Sequence, residues 1–468
     1  MAITDIGRAT GHLVAPEIEE MLDAGRNHDA RDALVYLFDA EIADVLIELA
    51  AEHRAVAFRL LPRARATDVF THLPAEQQEE LLKSLSSDLL ADLFNEMDPD
   101  DRAETFDELP GTLVNKLFAL LDPEERRQTQ IILGYPAESI GRIMTPDYVR
   151  VRPDWTAGQV LEHIRRHGGQ AETLDTLYVI DRGSRLVAEI RLHDLLLAEL
   201  DEPIEKYMQE HIPALRARDD QEVAVGAFER HDRPVLPVVD SDGVLVGVVT
   251  FDDVADVAEE EVTEDIQKMA AVEALEEPYL DVSLIKLVWK RGFWLGILFI
   301  GQMLTISAME NFESILTKAA VLVMFVPLVI SSGGNTGSQA ASLVIRAMAI
   351  GEVRLRDWWR ILRRELVCGM LLGVFLGMIG LLRIVIWQSI GWGEYTTHWL
   401  PVSFTVGLAL VGIVLWGTLV GSMLPLLFRR LGLDPATSSA PFVTTVVDIT
   451  GILIYLYTAM VLLRGTLL

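Results

Sequence analysis

The chain has 468 residues, 50% of them hydrophobic, a single cysteine and a formal net charge of −29. One cysteine excludes a disulfide framework and a Cys/His metal site, and the acidic balance excludes nucleic acid as a partner. The abundant carboxylates are hard oxygen ligands, suited to magnesium, calcium or manganese rather than zinc or copper. The charge is unevenly divided. Residues 282–468 hold 14 Lys and Arg against 8 Asp and Glu, which leaves 26 against 61 of the chain's 40 and 69 for residues 1–281. An acidic half therefore precedes a slightly basic, hydrophobic half. The expected class is multi-domain: an all-α superhelical domain, an α/β tandem domain and an α-helical membrane domain with five transmembrane helices.

Residues 1–140 are rich in Leu, Ala and Glu, and Pro marks their breaks. Leu61, Leu73, Leu85, Met97, Leu109 and Leu121 recur at a constant step, each followed closely by Pro or a polar residue. Each unit predicts one short helix and a turn. Such units bury an apolar face only by stacking, so the domain is expected to be a helical solenoid. The first residues carry no apolar signal core, which predicts a cytoplasmic amino terminus.

Residues 141–258 alternate strand-like runs such as LYVID and GVLVGVVT with helical ones. Two halves repeat, with Asp181 matching Asp240 and Asp194 matching Asp253. The pattern resembles a tandem pair of cystathionine-beta-synthase-type (CBS) domains. The second half ends in GVVTFDD, similar to that family's Gly-x-x-Thr-x-x-Asp ribose signature; the first half has EIRLHD and lacks the Thr. The resemblance implies adenine nucleotide, ATP included, as a regulatory ligand near Asp194, Thr250 and Asp253. No Walker-type phosphate loop is present, so an ATP-driven pump is not expected.

The segment 252–281 connects this pair to the membrane half and overlaps its end. Its acids Asp252, Asp253, Asp256, Glu259, Glu260, Glu261, Glu264 and Asp265 fall at helical spacing. Like charges three or four apart destabilise a helix unless cations neutralise them. The segment is either a charged linker helix or one held by bound cations.

Residues 282–468 predict five spans, roughly Leu287–Met309, Ala319–Ile350, Leu362–Trp387, Val402–Phe428 and Phe442–Leu463. Lys286, Lys290 and Arg291 precede the first. Arg346, Arg354, Arg356, Arg360, Arg363 and Arg364 cluster after the second, and Arg429 and Arg430 after the fourth. The opposite loops hold Glu310, Glu313, Lys318 and Glu394. The positive-inside rule places the amino terminus and the basic loops in the cytoplasm and the carboxyl terminus outside.

Two membrane segments depart from ordinary helix. PLVISSGGNTGSQAAS, with Gly333, Gly334, Asn335 and Gly337, is expected to interrupt the second span and free backbone groups at membrane depth. The other reading of these glycines is close helix packing. In the fifth span Asp448 stands alone in an apolar run, one turn after Thr444 and Thr445, so hydroxyls and carboxylate share a face. A carboxylate at that depth lines a water-filled path, pairs with a cation, binds a substrate ion or packs against neighbouring helices.

The order of these parts resembles the MgtE family of magnesium channels. The resemblance rests on MTPDYVRVR, TEDIQKMAAVE, FES, PLVISSGGNTGSQAASLVIRAMA and RLGLDPATSSAPFVTTVVDITGILIYL, and it covers essentially the whole chain. It implies a homodimer in the cell membrane with a pore at the two-fold axis. Asp448 would be the pore carboxylate, with Thr444, Thr445, Asn335, Gly333 and Gly334 around it. It also implies a gate closed by cytosolic Mg2+. The regulatory ions would lie on Asp100, Glu104, Asp240, Asp253, Asp256, Glu261, Glu264, Asp265 and Asp434. Glu104 stands where the compared pattern has Asp, and Ala440 where some members have Asn. Two other readings stay open: a transporter whose main cargo is Co2+ or Mn2+, and a nucleotide-regulated membrane sensor that conducts nothing. No nucleophile–base pair within the spans suggests an enzyme.

Overall fold

The computed structural model describes residues 3–275, 279, 282–392, 398–464 and 467; Glu277, Pro278 and Asp281 of the acidic connector and Glu394 lie outside the described residues. The chain divides into two compact units, Met1–Glu259 and Glu260–Leu468.

The first unit opens with α1 (Ile3–Asp23), α2 (Asn27–Val35) and α3 (Asp39–Glu48). The repeat follows as α4 (Ala51–Leu60), α5 (Arg63–Thr71), α6 (Ala75–Ser84), α7 (Ser87–Glu96), α8 (Pro99–Glu108), α9 (Gly111–Leu120) and α10 (Pro123–Leu133). The constant step has a local cause. Leu61, Leu85, Met97, Leu109 and Leu121 are the extended residues that end α4, α6, α7, α8 and α9, and all are buried. Prolines then start the next helix, at its first position in α8 and α10 and just before it in α5, α6 and α9.

Two further ladders lock the solenoid. Phe58, Phe70, Phe94, Phe106 and Phe118 stack in succession with ring centroids 6.3, 6.1, 5.4 and 6.0 Å apart. On every second unit a long side chain reaches back to carbonyls that a helix end leaves without partners. Arg54 donates to Leu46 and Leu49, Gln78 to Phe70 and Leu73, Arg102 to Phe94, and Arg126 to Leu121.

The tandem domain comprises β1 (Arg150–Val151), α11 (Ala157–His167), β2 (Thr176–Ile180), β3 (Leu186–Arg191) and α12 (Leu192–Leu196), then β4 (Leu215–Arg216), α13 (Glu222–His231), β5 (Val235–Val239) and β6 (Leu245–Thr250). Each half makes a three-stranded sheet of the same topology. β1 runs parallel to β2 and β2 antiparallel to β3; β4, β5 and β6 repeat this. The Asp181/Asp240 match is a turn device: Asp181 Oδ1 accepts the N–H groups of Gly183 and Arg185 at 2.7 and 2.9 Å, and Asp240 Oδ1 those of Asp242 and Val244 at 2.8 and 2.9 Å. The acidic helix α14 (Phe251–Met269) begins in the first unit and ends in the second.

In the second unit α15 (Leu284–Glu310) is followed by the short α16 (Glu313–Lys318), a 3-10 turn over Ala320–Phe325, α17 (Val326–Ala349), α18 (Trp358–Ile390), α19 (Trp399–Arg430) and α20 (Ala440–Leu462). Among the described residues, five helical segments are long and apolar enough to cross a membrane: Leu284–Glu310, Ala320–Ala349, Leu355–Ile390, Trp399–Arg430 and Ala440–Leu462.

The expected interruption of the second span is corrected. α17 runs unbroken through Gly333, Gly334, Asn335 and Gly337, and the irregular turn lies before it, at Ala320–Phe325. The glycines serve close packing instead. A Cβ at Gly421 or Gly417 of α19 would strike the carbonyl of Gly337 or Gly333, and one at Gly337 would lie 3.1 Å from the Gly417 carbonyl. The α17 and α19 backbones thus touch where neither carries a side chain. Gly369, Gly373 and Gly377 do the same for α18, where a Cβ would press on Thr418, Val411 and Gly407 of α19.

Candidate functional site

Asp448 sits half-buried on α20, in the seam with α15 and α17. Gln302 of α15 hydrogen-bonds its carboxyl group. Its Oδ1 is buried with no hydrogen-bond partner among the described residues. Gly334 lets α17 come close: a Cβ there would lie 3.6 Å from Oδ1 and 2.8 Å from the Thr444 methyl.

The flanking hydroxyls are oriented by the helix itself. Thr444 and Thr445 donate to the carbonyls of Ala440 and Pro441, both at 2.9 Å. With those protons directed into the helix, the oxygens keep acceptor capacity for water or a cation. Ser338 of α17 meets Thr444 Oγ1 at 2.9 Å and donates to the Ala440 carbonyl at 3.2 Å, tying the two helices. Thr445 faces α15, since a Cβ at Gly301 would lie 2.9 Å from its methyl. Asn335 is exposed on α17. Gly333 points at Ile413 and Val447, away from the carboxylate.

A second acidic site lies within the first unit. Asp253 of α14 is close enough to Asp100 of α8 to raise its proton affinity, and Asp98, Asp101, Glu172 and Asp252 crowd the same region. Burial, then Asp253 and Asp101, pushes Asp100 well above the usual carboxylate range, and its Oδ1 has no hydrogen-bond partner among the described residues. Burial and neighbouring acids push Asp101 and Glu172 up to about 7, and Asp147 to about 6. Burial also lifts Asp253 to about 6 against the opposing hydrogen bond from Thr250, whose hydroxyl donates to Asp253 Oδ2 at 2.5 Å. Crowded, half-desolvated carboxylates of this kind favour a proton or a cation over standing ionised together. Asp256 is lifted by burial and by Asp252 and Glu259. Glu104 is one turn after Asp100 on the same helix. Asp240 is engaged in its turn and stands beside Tyr135.

In the second unit Lys268 near the end of α14 bridges Glu264 at 2.6 Å and Asp434 at 2.8 Å. Burial lowers the lysine's pKa, but the bonds to Asp434 and Glu264 outweigh this and raise it. Asp434 also accepts the Ala436 N–H at 2.8 Å, capping the 3-10 turn Pro435–Thr437 that leads into α20. Glu261, Glu264, Asp265 and Lys268 form one half-buried face of α14.

Comparison with known proteins converges on one family. Residues 326–458 match the MgtE divalent cation transporter family, 37–138 the MgtE intracellular N domain, and 140–201 and 204–260 the CBS domain. The magnesium transporter MgtE of Thermus thermophilus is 41% identical over 338 residues, 72% of this chain and 73% of that one. The chain belongs to the MgtE family. The MgtE of Enterococcus faecalis is 31% identical over 71% of each chain. The first unit is similar to the cytosolic domain of an Mg2+ channel MgtE crystallised with ATP, at 35% identity and a TM-score of 0.50, covering 52% of this chain and 99% of that one.

As an MgtE family member with five spans the protein is a multi-pass membrane protein of a magnesium transporter family, not an enzyme. Its Asp194 is half-buried beside His193 at 3.3 Å, while Thr250 and Asp253 belong to the second half. Three residues carried little signal in the MgtE sequence: Gln302, legible only as an amide inside an apolar run; Ser338, hidden in the Gly/Ser segment; and Lys268, a lone base at the end of an acidic helix.

Proposed function

We propose that the protein is a magnesium channel that passes Mg2+ inward, down its electrochemical gradient, and is closed by Mg2+ bound on its cytoplasmic side. The observation that carries the pore reading is Asp448: a carboxylate in an apolar span, with one oxygen buried and unpartnered and with hydroxyls on the same face. Mg2+ keeps several waters and binds few protein oxygens directly, so a carboxylate ringed by acceptors suits its hydrated form. The membrane potential draws a divalent ion inward at ~2.3 kcal/mol per charge per 100 mV, so no chemical fuel is needed. The pore is that of a homodimer in the cell membrane, with one Asp448 from each copy, the amino terminus in the cytoplasm and the carboxyl terminus outside.

The gate reading rests on the acids of α8 and α14. Asp100, with a buried unpartnered oxygen opposite Asp253, fits a divalent cation. Ions held there fix α14 to the solenoid and favour the closed state by their differential affinity. ATP on the tandem CBS domain, near Asp194, Thr250 and Asp253, is a further regulatory ligand; the ATP complex of the related cytosolic domain supports this.

The test is Mg2+ influx into liposomes carrying the full chain, with Mg2+ on the soluble-domain face absent or at millimolar level. Influx that stops at millimolar Mg2+ is expected. Influx that ignores it discards the gate, and influx of Co2+ or Mn2+ in preference to Mg2+ reassigns the cargo. Absence of influx under every condition discards the channel.

A further inference from the structure

A groove of about 870 Å3 opens on the surface of the second unit, between α19, the start of α18 and α20. Val420, Met423 and Leu427 line its length, and Arg356, Arg430 and Trp358 stand at one end. Val420 and Arg430 are ten residues apart on one helix, which is ~15 Å at 1.5 Å per residue. That is about half the ~30 Å hydrocarbon thickness of a bilayer, or one leaflet. The charged end coincides with the ends of two spans, Leu355–Ile390 and Trp399–Arg430, where the chain leaves the apolar zone. Trp358 is half-exposed there, as expected of a ring at the headgroup level. Arg356 and Arg430 are exposed and have no ion-pair partner among the described residues.

We infer that this groove binds an anionic phospholipid, with its phosphate between Arg356 and Arg430 and one acyl chain along α19. The two features needed are on the same surface: an apolar channel of single-leaflet length and two arginines among its lining residues. A zwitterionic lipid fills the channel equally well but gains less from the two cations. The bound lipid also has a route to the rest of the unit. Val420 packs against the cluster of Ala341, Ile345, Ala436 and Val443, which also takes in Met269, the last residue of α14.

The experiment uses the full chain, delipidated in detergent and offered equal amounts of phosphatidylglycerol and phosphatidylcholine. Native mass spectrometry reads bound lipid and subunit number together. The wild type is expected to retain phosphatidylglycerol preferentially. Arg356→Gln with Arg430→Gln should retain roughly thirtyfold less, at ~1 kcal/mol per arginine near a membrane surface. Arg356→Lys with Arg430→Lys should restore most of it, which separates lost charge from lost fold. Met423→Trp keeps both charges but fills the groove, and should also lose the lipid. Equal retention of the two lipids by the wild type overturns the inference, as does unchanged retention in either the Gln or the Trp variant. Displacement by free glycerol phosphate would show a headgroup site without a lipid groove and also overturns it. A change in subunit number with lipid retention unaltered would assign the groove to a second copy of the chain.

Discussion

The two units treat carboxylates in opposite ways. In the first, Asp98, Asp100, Asp101, Glu172, Asp252 and Asp253 are crowded together, and mutual repulsion adds to burial in raising several of them. In the second, Asp448 stands apart, with Gln302 as its polar neighbour and an oxygen left unpartnered. A crowded cluster changes its preferred state steeply when a cation arrives, because one ion relieves several repulsions at once. Within one copy Asp448 has no carboxylate crowded against it among the described residues, so a passing hydrated cation offsets mainly its desolvation. The first arrangement suits sensing and the second suits selection.

Asp448→Asn gives the largest effect. It preserves shape and the contact with Gln302 but removes the charge. Mg2+ influx should fall by roughly a hundredfold, comparable to losing a charged hydrogen-bond acceptor of about 1.5–3 kcal/mol. Influx at the wild-type rate in the Asn variant would make Asp448 a packing residue and end the comparison. Next comes Gly421→Ala. Its Cβ meets backbone of α17, which cannot step aside as a side-chain tip can. A loss of about 2 kcal/mol in stability, read from thermal unfolding in detergent, is expected from overpacking. Gly334→Ala presses on the Thr444 side chain rather than on backbone and should unfold little, yet slow influx by moving α17 off the carboxylate.

Much of this was legible in the sequence because its cause is local. The leucine step in residues 51–133 reports helices of about ten residues joined through one extended, buried residue, and repetition makes that pattern visible. The phenylalanine stack runs at the same step, doubled once between Phe70 and Phe94 where Leu82 intervenes, and is readable by the same means. The Asp181/Asp240 pair was visible as a repeat, but only the backbone shows that it is a turn. The membrane glycines leave two readings open in the sequence, freed backbone and close packing, for a non-local reason. A Gly-rich run in α17 looks the same whether its backbone is freed or pressed against another backbone. What decides is Gly417 and Gly421 on α19, some eighty residues away. Asp448 was conspicuous as a lone acid in an apolar run, whereas its partner Gln302 depends on how α15 packs on α20.

The acidic cluster should respond to Mg2+ and to pH in ways the solitary carboxylate does not. Asp101, with its usual value of 3.8 lifted to about 7, binds its proton more tightly when folded than when unfolded, and Glu172 behaves alike. Stability from these groups is therefore present at low pH and lost as pH rises through about 4 to 7. Without divalent cations, the protection factors of amides in α8 and α14, corrected for the intrinsic exchange rate at each pH, should be larger at pH 5 than at pH 8. Mg2+ at tenfold over its dissociation constant should restore about 1.4 kcal/mol of protection at the higher pH. Asp100→Asn should raise protection without Mg2+ and shrink the gain from adding it. Equal protection factors at both pH values in the absence of metal would show that the acids do not repel in the folded protein.

The smallest effect concerns Lys268, where the two regimes meet on one helix. Its ammonium lies between Glu264 and Asp434, and Asp434 in turn caps the turn leading into α20. A tethered cation therefore neutralises the acids at the far end of α14 permanently, whereas those at its start await an ion. Lys268→Gln removes the charge and keeps most of the stem. A loss of about 1 kcal/mol is expected, since the pair is only partly buried and water screens it. The sharper readout is the Mg2+ dependence of closure. With Glu264 and Asp434 left facing each other, that end of α14 should acquire its own requirement for a divalent cation. Closure in the variant should need more Mg2+ than in the wild type, and Lys268→Arg, which keeps the cation, should behave as wild type. If the Gln variant closes at the wild-type Mg2+ concentration, the bridge contributes packing alone, and the division between sensing and fixed neutralisation does not extend to this end of the helix.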